Sequence, residues 1–124
     1  MQLNQEIRKE DLKINSEKTN WGIVYYYYGK NFRFALYIYD DDKDTIYLSN
    51  LDVYKNSQKQ GIGTAILKFV IKEALNFKTK AILLKCLKTS YVYNWYLKND
   101  YKYYCQDKDD PKYVWLKQII DKKR

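Results

Sequence analysis

The 124-residue sequence has no histidine, one proline, two cysteines and four glycines. Without histidine there is no Ser-His-Asp or Cys-His nucleophile and no His-ligated zinc. Cys86 and Cys105 are too few for a disulfide framework or a structural zinc site. They read as small packing hydrophobes in a reduced, cytoplasmic setting. No apolar run approaches the roughly 20 residues of a membrane span, so no membrane partner is expected. Met1-Gln2-Leu3-Asn4-Gln5 also lacks the charged-then-apolar order of an export signal. Proton transfer is left to Tyr, Asp, Glu, Lys, a terminus or water.

Acidic groups are scarce where basic ones gather. The net charge is +8, but residues 1–54 are net −2, residues 55–88 carry eight lysines against Glu73 alone, and residues 89–124 are net +3. A field of that shape attracts polyanions, whether a phosphorylated cofactor or a nucleic acid. The length fits one domain, residues 1–124, with a core that needs no staples.

Aromatic and β-branched runs mark the strands. Residues 1–19 are polar, with a short strand or helix left open. Trp21 to Tyr28 and the alternating Phe32 to Tyr39 read as strands joined by Tyr28-Gly29-Lys30-Asn31. Asp40 to Asp44 turns into a third strand, Thr45 to Tyr54, giving an antiparallel meander. The aspartate cluster lacks the glycine and closing glutamate of a calcium loop and reads as a solvated turn. Apolar residues at 62, 65, 66, 69, 70, 74 and 77 predict a helix over Gly61–Phe77. Ala81 to Leu84 reads as a buried strand, so strand, helix and strand imply a parallel crossover. Ser90 is the expected N-cap of a helix ending near Asn99. Tyr101–Cys105 and Tyr113–Ile119 close the chain as strands around an Asp109-Asp110-Pro111 turn.

The chain is organised around Leu51-Asp52-Val53, then Gln58-Lys59-Gln60-Gly61-Ile62-Gly63-Thr64. Strand, glycine-bearing loop and helix aim backbone N–H groups and a positive helix end at an anion. Gly61 and Gly63 let the backbone close on a phosphate, although two glycines near a helix start also make an ordinary turn. The spacing is neither a Rossmann fingerprint nor a Walker loop.

The run Leu51-x-Val53, four residues, then Gln58-x-x-Gly61-x-Gly63 resembles the acyl-CoA-binding motif of the GNAT N-acetyltransferase superfamily. Trp95-Tyr96-Leu97-Lys98-Asn99-Asp100-Tyr101 is similar to its second signature, Y-x-K-x-G-F after an aromatic residue. The resemblance implies an α/β (α+β) fold: a mixed, mostly antiparallel twisted sheet of about six to seven strands flanked by helices. The sheet splays between the strand before the glycine loop and the strand after its helix. The family's two helices between its first two strands do not fit this short N-terminal region, so the acceptor side is expected to be unusually open.

The same resemblance implies acetyl-CoA as cosubstrate, with no metal. The backbone of Gln58 to Thr64 takes the pyrophosphate and Lys59 adds charge. The Leu51 to Val53 backbone pairs with the pantetheine arm, and an amide there polarises the thioester carbonyl. Tyr96 matches the family's general acid, a role that suits a phenol protonated at neutral pH. Lys98 falls within the second signature. Thr89 stands where the family often has a pantetheine-binding asparagine, and Asp100 replaces a glycine, so that turn is expected to differ. The base is open among Tyr47, Ser49, Asp52 and water; strand alternation predicts Asp52 on the opposite face from Tyr47, Ser49, Leu51 and Val53.

The function implied is acetyl transfer to a primary amine, on a protein lysine, a nucleoprotein or aminoacyl-tRNA, by a monomer or homodimer. Two other readings stand beside it: a basic, tyrosine-rich nucleic-acid-binding module, and a non-catalytic GNAT fold that only binds CoA.

Overall fold

The computed structural model describes residues 6–54 and 61–120. Strands β1 (Lys13–Lys18), β2 (Gly22–Tyr28), β3 (Phe32–Tyr39) and β4 (Asp42–Val53) form an antiparallel meander. Helix α1 (Ile62–Asn76) crosses over to β5 (Ala81–Leu87), parallel to β4. Helix α2 (Tyr91–Lys98) leads into β6 (Lys102–Gln106) and β7 (Tyr113–Ile119), with β7 inserted between β5 and β6. The sheet order is therefore β1-β2-β3-β4-β5-β7-β6.

The open reading of the N-terminal residues resolves as a strand. β1 is an edge strand with five of its six residues exposed, so it carries no burial pattern that composition would reveal. It joins β2 through a tight turn in which the Thr19 N–H and hydroxyl both donate to the Gly22 carbonyl, at 2.8 and 3.0 Å. No helix separates these two strands. Asp42, predicted within a turn, begins β4 and pairs with Tyr39, leaving only Asp40 and Asp41 between the strands.

The apolar stripe of α1 accounts for the core. Ile66, Val70 and Ala74 are wholly buried and pack with Phe34, Leu36 and Ile46 of the meander. Burial of a side chain the size of Ile or Val contributes about 1.5–3 kcal/mol. Glu73 lies on the same stripe and is also buried. Its carboxylate accepts the Tyr27 hydroxyl at 2.8 Å and pairs with Lys9 Nζ at 3.2 Å, which supplies the partners a buried charge needs. Lys9 belongs to a short 3₁₀ turn, Lys9–Asp11, and neighbouring Ile7 and Leu12 pack on the core. The 3₁₀ turn, α1 and α2 thus cover one face of the sheet. No helix among the described residues is long and apolar enough to cross a membrane.

β4 and β5 pair only at Thr45↔Ala81, Ile46↔Ile82 and Tyr47↔Leu83. Beyond these, β4 stays paired to β3 and β5 to β7, so the two strands part. The splayed sheet expected from the resemblance is present.

A bulge corrects the predicted face of Asp52. Ala35 pairs with Ser49 and Arg33 with Asp52, so two steps along β3 match three along β4. Asn50 is the extra residue, with φ 57, in the left-handed region that asparagine tolerates. The insertion reverses alternation. Asp52 joins Tyr47 and Ser49 on the face away from α1, while Leu51 and Val53 turn to the helical side and pack on the core.

Candidate active site

The splay leaves a cavity of about 490 Å³ between the free edge of β4 and the two helices. Leu51, Asp52 and Val53 line one wall, Gly61, Gly63 and Thr64 the end of α1, and Trp95 and Tyr96 the α2 side. Gly61 is the N-cap of α1 with φ 80, a conformation glycine takes without strain. The first intrahelical bond runs from the Ala65 N–H to the Gly61 carbonyl at 3.1 Å, so the amides of Ile62, Gly63 and Thr64 precede it. No acidic residue stands in the first turn. The amides and the positive pole of this 15-residue helix make its start able to hold an anion.

Gly63 has a second role that spacing did not reveal. A Cβ there would lie 3.0 Å from Cζ2 of Trp95. The glycine of one motif therefore lets the indole of the other close on α1.

Tyr96 is 8% exposed and stacks edge-on with Tyr101, ring centroids 5.6 Å apart. Burial, and then the neighbouring Cys86, push its phenol up to about 12. Its side chain lines the helical cavity and also a second one, of about 390 Å³, on the opposite face of the sheet. Tyr37, Tyr39, Tyr47 and Trp115 wall that second cavity. A third cavity, about 410 Å³, continues along the same face past Arg33 and Tyr28. Leu51 is common to all three cavities, and Asp52 to the first and third.

Of the predicted site residues, the structure brings together Leu51, Asp52, Val53, Gly61, Gly63, Thr64 and Tyr96. Ile62 is buried in the core beside them. Gln58, Lys59 and Gln60 lie outside the described residues. Thr89 and Lys98 are exposed, at the turn before α2 and in its last turn, and line none of these cavities. Ser90 holds the N-cap position, but its hydroxyl donates back to the Leu87 carbonyl at 2.9 Å instead of capping. Asp100 takes φ 74, so the left-handed turn a glycine would make is kept with aspartate in its place.

Among the base candidates, Tyr47 donates to Asp42 Oδ2 at 3.4 Å, and burial, with the Asp42 charge, raises its phenol above the ordinary value. A group so held is a poor proton acceptor. Among the described residues, Asp52 is the carboxylate that lines the first and third cavities; it is exposed and 3.8 Å from Arg33 Nε. The reading missed Trp95, Trp115 and the Asn50 bulge. Trp95 was within the second motif, whereas nothing local marks Asn50 as an insertion.

Comparison with known proteins agrees with this geometry. The family model "Acetyltransferase (GNAT) family" matches residues 3–101. No curated protein sequence matches the chain. Among solved structures, a GNAT family acetyltransferase from Elizabethkingia anophelis with acetyl-CoA bound is 17% identical with TM-score 0.64, covering 90% of this chain and 99% of that one. A Bacillus subtilis acetyltransferase in complex with CoA is 16% identical with TM-score 0.65, covering 87% and 98%. N-acetylglutamate synthase from Neisseria gonorrhoeae, complexed with coenzyme A and N-acetyl-glutamate, is 12% identical with TM-score 0.65; the match covers 80% of this chain and 26% of that one.

Proposed function

This chain belongs to the GNAT acetyltransferase family, and on that premise we propose that it moves an acetyl group from acetyl-CoA to a primary amine of a macromolecule, residues 1–124 acting as one catalytic domain. The observation that carries the reading is the position of Tyr96, which lines both the helical cavity and the cavity on the opposite face.

The amides at the start of α1 hold the pyrophosphate, and the β4 edge from Leu51 to Val53 receives the pantetheine arm in the splay. The apolar side chains of Leu51, Val53 and Trp95 in this cavity suit the arm. The acceptor comes from the opposite face as a neutral amine. Its lone pair forms the C–N bond, the C–S electron pair leaves on sulfur, and sulfur takes the Tyr96 proton. The proton lost by nitrogen goes to Asp52, directly or through water, and the phenol regains its own from solvent. The Asn50 bulge, which turns Asp52 to the face away from α1, supports this role.

Tyr96→Phe tests the role of the phenol. Loss of a positioned general acid costs typically about 10²–10⁴-fold in rate, and acetyl-CoA affinity should stay within twofold of wild type, a difference of roughly 0.4 kcal/mol. Equal losses in turnover and affinity would contradict it. Asp52→Asn should lower kcat at saturating acetyl-CoA by about 10²-fold or more; an unchanged kcat would leave the proton to water alone.

A further inference from the structure

The face of the sheet away from α1 carries a ladder of rings that the acetyl site does not account for. Trp21 stacks on Tyr37 at 5.7 Å and leans on Tyr39 at 5.0 Å. Tyr39 meets Tyr47 edge-on at 4.9 Å, and Tyr47 meets Trp115 at 6.0 Å. Tyr37, Tyr39, Tyr47 and Trp115 wall one cavity. Its neighbour, toward Tyr26 and Tyr28, shares Asn50 and Leu51 with it. The two cavities make one trough that runs across β4, away from the junction at Leu51 in both directions.

We infer that this trough binds an extended polypeptide segment and presents a lysine side chain from mid-chain to the thioester. The inference rests on the acetyltransferase reading and specifies its acceptor. A pocket for a free small amine would close around the reactive point. This one continues past it on both sides, so the acceptor's chain has somewhere to go in each direction. Tyrosine walls offer broad, rigid, amphipathic contact at low entropic cost, with hydroxyls for a peptide backbone.

Charge decides between a polypeptide and a nucleic acid. A strand of phosphates needs cations free to neutralise it. Both cations in the trough have carboxylate partners: Arg33 lies 3.8 Å from Asp52, and Lys85 lies 3.9 Å from Asp107. Lys85 also sits over the Tyr113 and Trp115 rings, at 5.3 and 5.7 Å. Of the described lysines in the basic segment, only Lys85 lines the trough; Lys68 and Lys72 are exposed on α1, which covers the other face.

The test uses a random peptide library, blocked at both ends, with one central lysine. Acetyl transfer to it is compared with transfer to singly blocked lysine amide and to a lysine-free library with free N-termini. The expected result is a kcat/KM for the central-lysine library roughly tenfold or more above that of lysine amide, because flanking contacts made away from the reacting centre lower the barrier there. Tyr28→Ala, at an exposed ring on the trough, should bring the library toward the lysine-amide value. Equal values for library and lysine amide, or preference for free N-termini, would overturn the inference. So would tight, salt-sensitive oligonucleotide binding that Tyr28→Ala abolishes. Transfer to none of these amines, with an intact thermal shift from acetyl-CoA, overturns the polypeptide occupant alone. Loss of that shift as well removes the acetyltransferase reading beneath it.

Discussion

Tyr96 keeps its proton across the working range of an enzyme, since burial, and then Cys86, push its phenol up to about 12. The sign matters for the pH profile. A raised phenol pKa keeps the acid form present at all lower pH, so no falling limb from Tyr96 is expected between pH 7 and about 10. A high pKa also makes a weak acid, so the loss in Tyr96→Phe should sit toward 10²-fold rather than 10⁴-fold. A kcat that falls between pH 7 and 9, with a fall that Tyr96→Phe removes, would contradict the environment described. Asp107 carries the opposite sign. The Trp115 indole N–H donates to it at 3.0 Å, and this bond, with the Asp109 and Asp110 amides and Lys85, holds its carboxyl below the usual range. Its contribution to stability is present above the unfolded-state value of about 3.9 and is lost as pH falls through the lower folded value. Melts from pH 5 down to pH 2 should show a shallower acid limb in Asp107→Asn; identical limbs would dismiss the bond as a stabiliser.

At the scale of elements, the proposed acetyl site depends on two irregularities. The first is the bulge at Asn50, where a β-branched residue at φ 57 is strained. Asn50→Val should cost about 1–3 kcal/mol by urea unfolding, and Asn50→Gly should be close to neutral. Similar losses for both would mean that the left-handed conformation is not what asparagine supplies. The second is the contact of Gly63 with Trp95. Gly63→Ala forces the indole back, at about 1–3 kcal/mol, and should quench or shift its fluorescence. Most elements were legible because their patterns survive in the sequence. β3 begins and ends where its alternation does, and α1 follows its stripe to within one residue at each end. β1 was not legible, because an exposed edge strand has no face to pattern. The face of Asp52 was misread for a different reason. Alternation counts residues, and a bulge adds one without leaving a compositional mark.

For the whole molecule, the two faces have different roles. The helical face takes its order from α1 and from the buried Glu73, whose partners Tyr27 and Lys9 come from β2 and the N-terminal turn. Tyr27→Phe would leave one carboxylate oxygen short of a partner and should cost about 1–3 kcal/mol, read as a lower urea midpoint at unchanged slope. Among the described residues no helix lies over the other face, and β1 turns directly into β2. The basic excess near α1 and the tyrosine trough behind it were both visible as composition. Their placement on opposite faces was not, since it depends on the register of four strands.

The most direct test of the central claim is a thermal melt with and without saturating acetyl-CoA, with Gly61→Asp run beside it and referred to its own ligand-free melt. At about a hundred times Kd, a ligand adds roughly 2.7 kcal/mol, several degrees for a domain of this size. Gly61 caps the helix end that faces the cavity, and a carboxylate there would repel the pyrophosphate. A shift in the wild-type protein that is absent in Gly61→Asp is the expected result. No shift in either, or the same shift in both, would contradict acetyl-CoA binding at the start of α1.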